Sequence, residues 1–233
     1  MQDVAQHRLG EVFALSKRRL KFSKTGMGKY ISHLDLLRTF TRAIHRANLP
    51  VRYSQGFNPH QLITFSLPLP IGVTSETEFV DIDFEESATN SEIMEKLNLN
   101  LPPDIKILSV GLPEIKASNI VAAEYIFEAT KENISVEKIE KFFAQEQIDA
   151  VKKTKKGEKE VNLKEFIRGF NFITCENDKT VMDIVLSAGG EANIKPEIVL
   201  LKLQEYMGHE FDSYSFHRIK IFYKDRENIE IFC

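Results

Sequence analysis

A chain of 233 residues with 42% hydrophobic content can bury a core in each of two small domains. Its two cysteines, Cys175 and Cys233, sit in no CxxC or Cys/His spacing, which excludes a disulfide framework and a thiolate metal site and leads us to expect a cytoplasmic protein. The net charge of −3 conceals an asymmetry: residues 1–60 hold eleven Lys/Arg against three Asp/Glu, a balance of +8, so residues 61–233 carry −11, and such a split hints at an anionic partner.

Residues 4–15 have a loosely helical pattern interrupted by Gly10 and read as an N-terminal extension, 1–17. They lack the order of a signal peptide, and nowhere do about 18 apolar residues run together, so no membrane is implied. Residues 18–23 (RRLKFS) alternate as a half-buried strand. TGMGK, without Walker or GxGxxG spacing, reads as a turn.

Ser32, with Asp35 three residues on, starts a helix over 33–48. Leu34, Leu37, Thr41 and Ile44 form one apolar stripe, which Leu36, Phe40, Ala43 and Ala47 widen. Arg38, Arg42 and Arg46, spaced four apart, line the solvent face.

A strand at 51–54 then leads into the loop QGFNPH at 55–60, followed by a strand at 62–67. Residues 77–84 (TEFVDIDF) alternate as an acidic strand. A helix at 91–99 and a strand at 105–110 follow, an order that matches strand, helix, strand, strand, helix, strand but for one further strand between the helices. That order predicts a ferredoxin-like βαββαβ unit over 18–115, with both helices on one face of an antiparallel sheet and the other face free.

A second such unit is expected over 120–233, giving an α+β protein of two tandem ferredoxin-like units. Its strands are read at 124–130, 161–167, 170–175, 180–188 and 216–223, with another at 229–232. Helices are read at 135–145 and 196–207, the latter capped by Gly208. Lys152, Lys153, Lys155, Lys156 and Lys159 surround Gly157 at a hairpin tip, either a solvated loop or a phosphate-contacting arm. Asn177 and Asp178 mark a turn.

The segments KYISHLDLLRTFTRAIHRANLPVRYSQGFNPH, FSLPLPIGVTSETEFVDIDF and KKGEKEVNLKEFIRG resemble the bacterial radical-SAM-linked proteins, a family of unknown function. Its members stand alone or form the C-terminal part of radical SAM proteins. The resemblance spans most of residues 18–225 and implies work beside a radical SAM enzyme, with modification of a tRNA or rRNA as a plausible task. This chain has no CxxxCxxC for the catalytic iron–sulfur cluster, so the resemblance does not make it the radical enzyme. The double ferredoxin-like plan also resembles the Cas6 type of RNA-processing protein, in fold only.

The candidate nucleic-acid contacts are Arg38, Arg42, Arg46, Arg52, Tyr53, Gln55, Gly56, Phe57, Asn58 and His60. Guanidinium groups pair with phosphate in bidentate fashion, and binding releases counterions. Tyr53 and Phe57 offer flat faces to unpaired bases, or else belong to the core; Gln55, Asn58 and His60 supply donors and acceptors; Gly56 admits a close approach. The arginines could instead pair with the acidic strand.

These features lead to a non-catalytic RNA-binding or substrate-presenting module. Alternatives are a metal-independent endoribonuclease using His33, His60 and Tyr30, and a protein adaptor without nucleic acid. His33 and His45 stand roughly 18 Å apart along the helix axis, too far to act on one phosphate together. Neither HExxH nor HxxxH occurs, so no metal or cofactor is expected.

Overall fold

The computed structural model describes residues 17–85, 88–154, 157–176, 178–190, 192–226 and 228–233, with backbone alone at 153 and 154. The expectations for 4–15, Lys155, Lys156 and Asn177 lie outside the described residues. The described chain is mixed α and β, with four α-helices and antiparallel strand pairing, and divides into two compact units. One extends to Ala117 and includes Cys233; the other is Ser118–Phe232.

Unit 1 contains β1 (Lys17–Lys24), α1 (His33–Arg46), β2 (Ile63–Phe65), β3 (Val73–Asp83), α2 (Asn90–Asn100) and β4 (Ile105–Gly111). Its strands lie in the order β4-β1-β3-β2. Alternation along β1 sends Leu20 and Phe22 toward the helices, where they join Val80, Ile82 and Phe84 and the buried side chains of α1 and α2. The rings of Phe22, Phe40 and Phe65 meet edge to face at 5.2 to 5.9 Å.

Two glycines of TGMGK admit a close approach rather than a ligand: a Cβ on Gly26 would fall 2.5 Å from the Asp104 carboxylate, and the segment winds into a short 3-10 turn.

The expected open second face of this sheet is corrected by burial. Arg19 and Phe79, both pointing away from the helices, are only 4% exposed. Arg19 grips Asp81 across the strands with two bonds of 2.8 and 3.0 Å, and a guanidinium nitrogen also reaches the Cys233 carbonyl. Lys17 stands 3.7 Å from Asp83. The acidic strand therefore finds its cations on its sheet neighbour β1, not on α1.

Unit 2 contains β5 (Ile120–Thr130), α3 (Val136–Ala144), a separate hairpin of β6 (Asp149–Thr154) and β7 (Gly157–Asn162), β8 (Ile167–Glu176), β9 (Lys179–Ser187), α4 (Pro196–Met207), β10 (Ser213–Asp225) and β11 (Asn228–Ile231). The order β10-β5-β9-β8 carries β11 on β10. Tyr125, Phe127, Ile184 and Phe216 face Phe143 of α3 and Val199, Leu200 and Leu203 of α4. Phe143 also stacks on Phe170 at 4.0 Å.

Gly208 closes α4 in the left-handed conformation, as its position predicts. Residues 161–167 are not one strand: Asn162 caps a 3-10 turn, Leu163–Glu165, whose buried Leu163 anchors the hairpin base. The stretch 51–54 likewise forms only isolated bridges, Val51 to Phe84 and Tyr53 to Gln61.

Candidate nucleic-acid interface

The local chemistry of α1 fixes where its cations begin. Ser32 Oγ accepts the Asp35 amide at 3.2 Å and donates to the Asp35 carboxylate at 2.7 Å. The Ser32 hydroxyl first, and then Arg38, hold the Asp35 carboxyl below the usual aspartate range. Arg38 is thereby engaged, 2.9 Å from Asp35.

The core takes a narrower stripe of α1 than the apolar residues suggest. Leu36, Phe40, Ala43, Ile44 and Ala47 are buried, whereas Leu34 is 62% exposed and Leu37 and Thr41 are half-buried. On a helix of 3.6 residues per turn, Leu34, Leu37 and Thr41 form a row about 100° away from the row of Leu36, Phe40 and Ala47. That surplus apolar row becomes a wall.

Opposite it, residues 53–61 fold as a hairpin. Ser54 donates its amide to the His60 carbonyl at 2.8 Å, the Ser54 hydroxyl bonds His60 Nδ1 at 2.8 Å, and Gln61 donates to the Tyr53 hydroxyl at 3.3 Å. These contacts fix the loop ends and turn Tyr53 and His60 toward the helix.

Between helix and hairpin lies a cleft of about 550 Å³, lined by Leu37, Thr41, Arg42, His45, Arg46, Tyr53, Pro59, His60, Gln61 and Ile63. Among the described residues no lining residue is acidic. Its floor is apolar, and two arginines and two histidines stand around it. Such a cavity has the size and division of surface that suit one small aromatic anion.

The sequence-predicted contacts separate into three groups. Arg42, Arg46, Tyr53 and His60 meet in the cleft. Arg46 is partly committed, because it donates to the Asn100 carbonyl at the C-terminus of α2, where a cation is favoured by the helix dipole. Arg42 has no ion-pair partner among the described residues, so its charge is the one most open to an incoming anion.

Gln55, Gly56, Phe57 and Asn58 form the exposed hairpin tip beyond the cleft, with Gly56 at φ +124° and Phe57 fully exposed. Of the two readings of Phe57, core residue or free ring, its exposure leaves the free ring.

Arg38 and Arg52 do not line the cleft. Arg38 stands about 6 Å further along the axis from Arg42. Half-buried Arg52 joins its backbone to Asp83 and Leu62.

The alternative catalytic set is not brought together in this cleft. His33 packs on the ring of Phe65 at 5.3 Å, and Tyr30 is an exposed ring beneath the Lys29 ammonium. His60 instead shares the cleft with His45, which is not among the sequence-predicted contacts. Its spacing from Arg42 and Arg46 on one helix was the available signal.

Among the described residues no group of three His, Cys, Asp or Glu side chains gathers at one point, and no helix is long and apolar enough to cross a membrane.

Residues 17–196 match the profile of a family described as an uncharacterized protein conserved in bacteria (DUF2344). No curated protein matches the sequence. Among solved structures, a chain from a Cbf5–Nop10–Gar1 complex superposes with a TM-score of 0.50 at 8% identity, covering 91% of this chain and 51% of that one. A chain from an H/ACA RNP bound to a substrate RNA containing 2′-deoxyuridine gives 0.48 at 8% identity, over 89% and 48%. This chain therefore spans about half the length of the solved chains it resembles, and at such identity the likeness is one of fold.

Proposed function

For this chain, which belongs to the DUF2344 family of uncharacterized proteins conserved in bacteria, we propose a role as a non-catalytic RNA-binding or substrate-presenting module. Its partner in this reading is a radical SAM enzyme engaged in RNA modification. The two domains, 18–115 and 120–233, are read as ferredoxin-like units. The strand orders β4-β1-β3-β2 and β10-β5-β9-β8, each with a helix after the first and third strands, support that reading.

The observation that carries the proposal is the acid-free cleft beside the exposed Phe57 ring. An unpaired nucleotide lays its base against Leu37, Ile63 and Tyr53. Arg42, assisted by Arg46 and the histidines, takes the phosphate, and Phe57 stacks on a neighbouring base. A paired A-form duplex keeps its bases stacked inside, so single-stranded or bulged RNA is the preferred ligand. The fold likeness to the Cbf5–Nop10–Gar1 chain does not bear on the ligand; the reading is supported by the cleft chemistry.

Salt-titrated binding to single-stranded and structured RNA tests the proposal. Replacing Arg42 and Arg46 with Glu should abolish binding at moderate salt. Failure to bind any RNA at low salt, or binding unchanged by both replacements, would rule it out. Co-purification with and without nuclease separates an RNA-bridged complex from a protein adaptor.

A second reading, a metal-independent endoribonuclease, gains one observation: His45 and His60 line the same cleft and could serve as general acid and base. Incubation with structured RNA in EDTA decides it. Cleavage lost in both His45→Ala and His60→Ala would replace the non-catalytic reading, and no cleavage dismisses the nuclease.

A further inference from the structure

Unit 2 holds a second cationic cleft, made from residues that no sequence motif links. It has a volume of about 310 Å³ and is lined by Ser118, Asn119, Arg168, Lys224 and Arg226, together with apolar residues that include Ile120 and Ala188. Among the described residues no carboxylate lines it; Asp225, between two of the cations in sequence, is not among the lining residues.

That composition runs against its surroundings. Residues 61–233 carry a net −11. Elsewhere in unit 2, Lys131, Lys179 and Lys220 each meet an acid, Asp212, Glu128 and Glu124, at 2.7 to 3.0 Å. Arg168, Lys224 and Arg226 have no ion-pair partner among the described residues. Three like charges around one cleft raise its potential, and an anion relieves their repulsion.

Three departures from regular backbone surround the cleft. The β8–β9 register shifts between Ile167 and Gly169, so Arg168 sits at a bulge, a device that re-aims a side chain; its Nε donates to the fully buried Ser187 Oγ at 3.0 Å. Arg226 occupies the left-handed region at φ +54° in the β10–β11 turn, between the paired Asp225 and Asn228. Asn or Gly is the usual choice in such a turn. Gly189, at φ +108°, approaches Ile120 so closely that a Cβ would stand 2.1 Å from the Ile120 carbonyl oxygen, which clamps the cleft wall.

We infer that this cleft is a phosphate-binding site, separate from the cleft of unit 1, in which Arg168 and Arg226 supply the forked donors and Lys224 a third charge. A phosphate within a nucleic-acid chain and a free pyrophosphate share this chemistry. The experiment therefore uses both probes, pyrophosphate and a short single-stranded oligoribonucleotide, titrated calorimetrically into the full chain carrying Arg42→Glu, which weakens the other cleft.

At least one probe should bind. Lys224→Gln and Arg226→Gln should each weaken it about tenfold, Arg168→Gln at least as much, while Lys179→Gln, a paired lysine of the same unit, changes nothing. Binding of the oligonucleotide alone assigns the phosphate to a chain, and binding of pyrophosphate assigns it to a free ligand. The inference is overturned if neither probe binds, if Lys224→Gln and Arg226→Gln bind as the parent does, or if Lys179→Gln loses as much. Both decisive positions are exposed, so unfolding midpoints should stay at the parent value. The unit 1 proposal stands or falls separately, on Arg42 and Arg46 in the otherwise native chain.

Discussion

Glu197 shows how one side chain can be set against its surroundings. It lies in the first turn of α4, where the helix dipole favours a carboxylate, yet its Oε2 is buried with no hydrogen-bond partner among the described residues. Burial, opposed by a backbone hydrogen bond and by Lys195, raises its pKa above the ordinary glutamate value. The folded state therefore holds the Glu197 proton more tightly than the unfolded chain does. That contribution to stability is complete below the ordinary value near 4.5 and is lost as pH rises through the raised one. Glu197→Gln should accordingly raise the urea midpoint at pH 7 and leave it almost unchanged at pH 4; equal shifts at both pH values would refute this account. Nothing in the local sequence announces this, because a glutamate just after Pro196 is ordinary helix-start chemistry and its burial depends on distant packing.

At the scale of elements, α1 and the hairpin that faces it separate stability from binding. Ser32→Ala removes the N-cap of α1 and should cost about 1 kcal/mol in chemical denaturation. It touches no cleft residue, so the salt dependence of RNA binding should not change. Phe57→Ala should do the reverse. A fully exposed ring contributes little to folding, so stability should stay within about 0.5 kcal/mol, whereas the loss of one stacked base should weaken RNA binding by about 1–3 kcal/mol. Equilibrium unfolding and filter binding on the same two variants would distinguish the roles. The cap was legible from Ser32 and Asp35, and the helix bounds nearly so, since both depend on neighbours three or four residues away. The exposure of Phe57 was not legible, because an aromatic residue in a polar loop serves equally well as a core anchor or a free ring.

At the scale of the whole molecule, the proposals place one phosphate-binding cleft in each unit. If one RNA occupies both, every phosphate contact removed should lower the slope of log affinity against log salt by about 0.7, the value for single strands. Arg42→Gln and Arg226→Gln should then each reduce the slope by that amount, and together by about 1.4. A combined variant no different from Arg42→Gln alone would mean that the cleft of unit 2 serves another ligand.

The sequence by itself determined the four helices, most strands of unit 1, the capped start of α1 and the concentration of positive charge in the first 60 residues, but not the bridges at 51–54 or the break within 161–167. These follow from periodicity, capping and composition, which act over a few residues. Tertiary structure decided which of those charges share a ligand. It set His45 and Arg42 opposite His60 and Tyr53, placed Arg38 against Asp35, paired Arg19 with Asp81 across the sheet, and gathered Arg168, Lys224 and Arg226 from two distant stretches of chain. Strand register and helix packing bring such residues together, and those are properties of the folded chain that no short window contains.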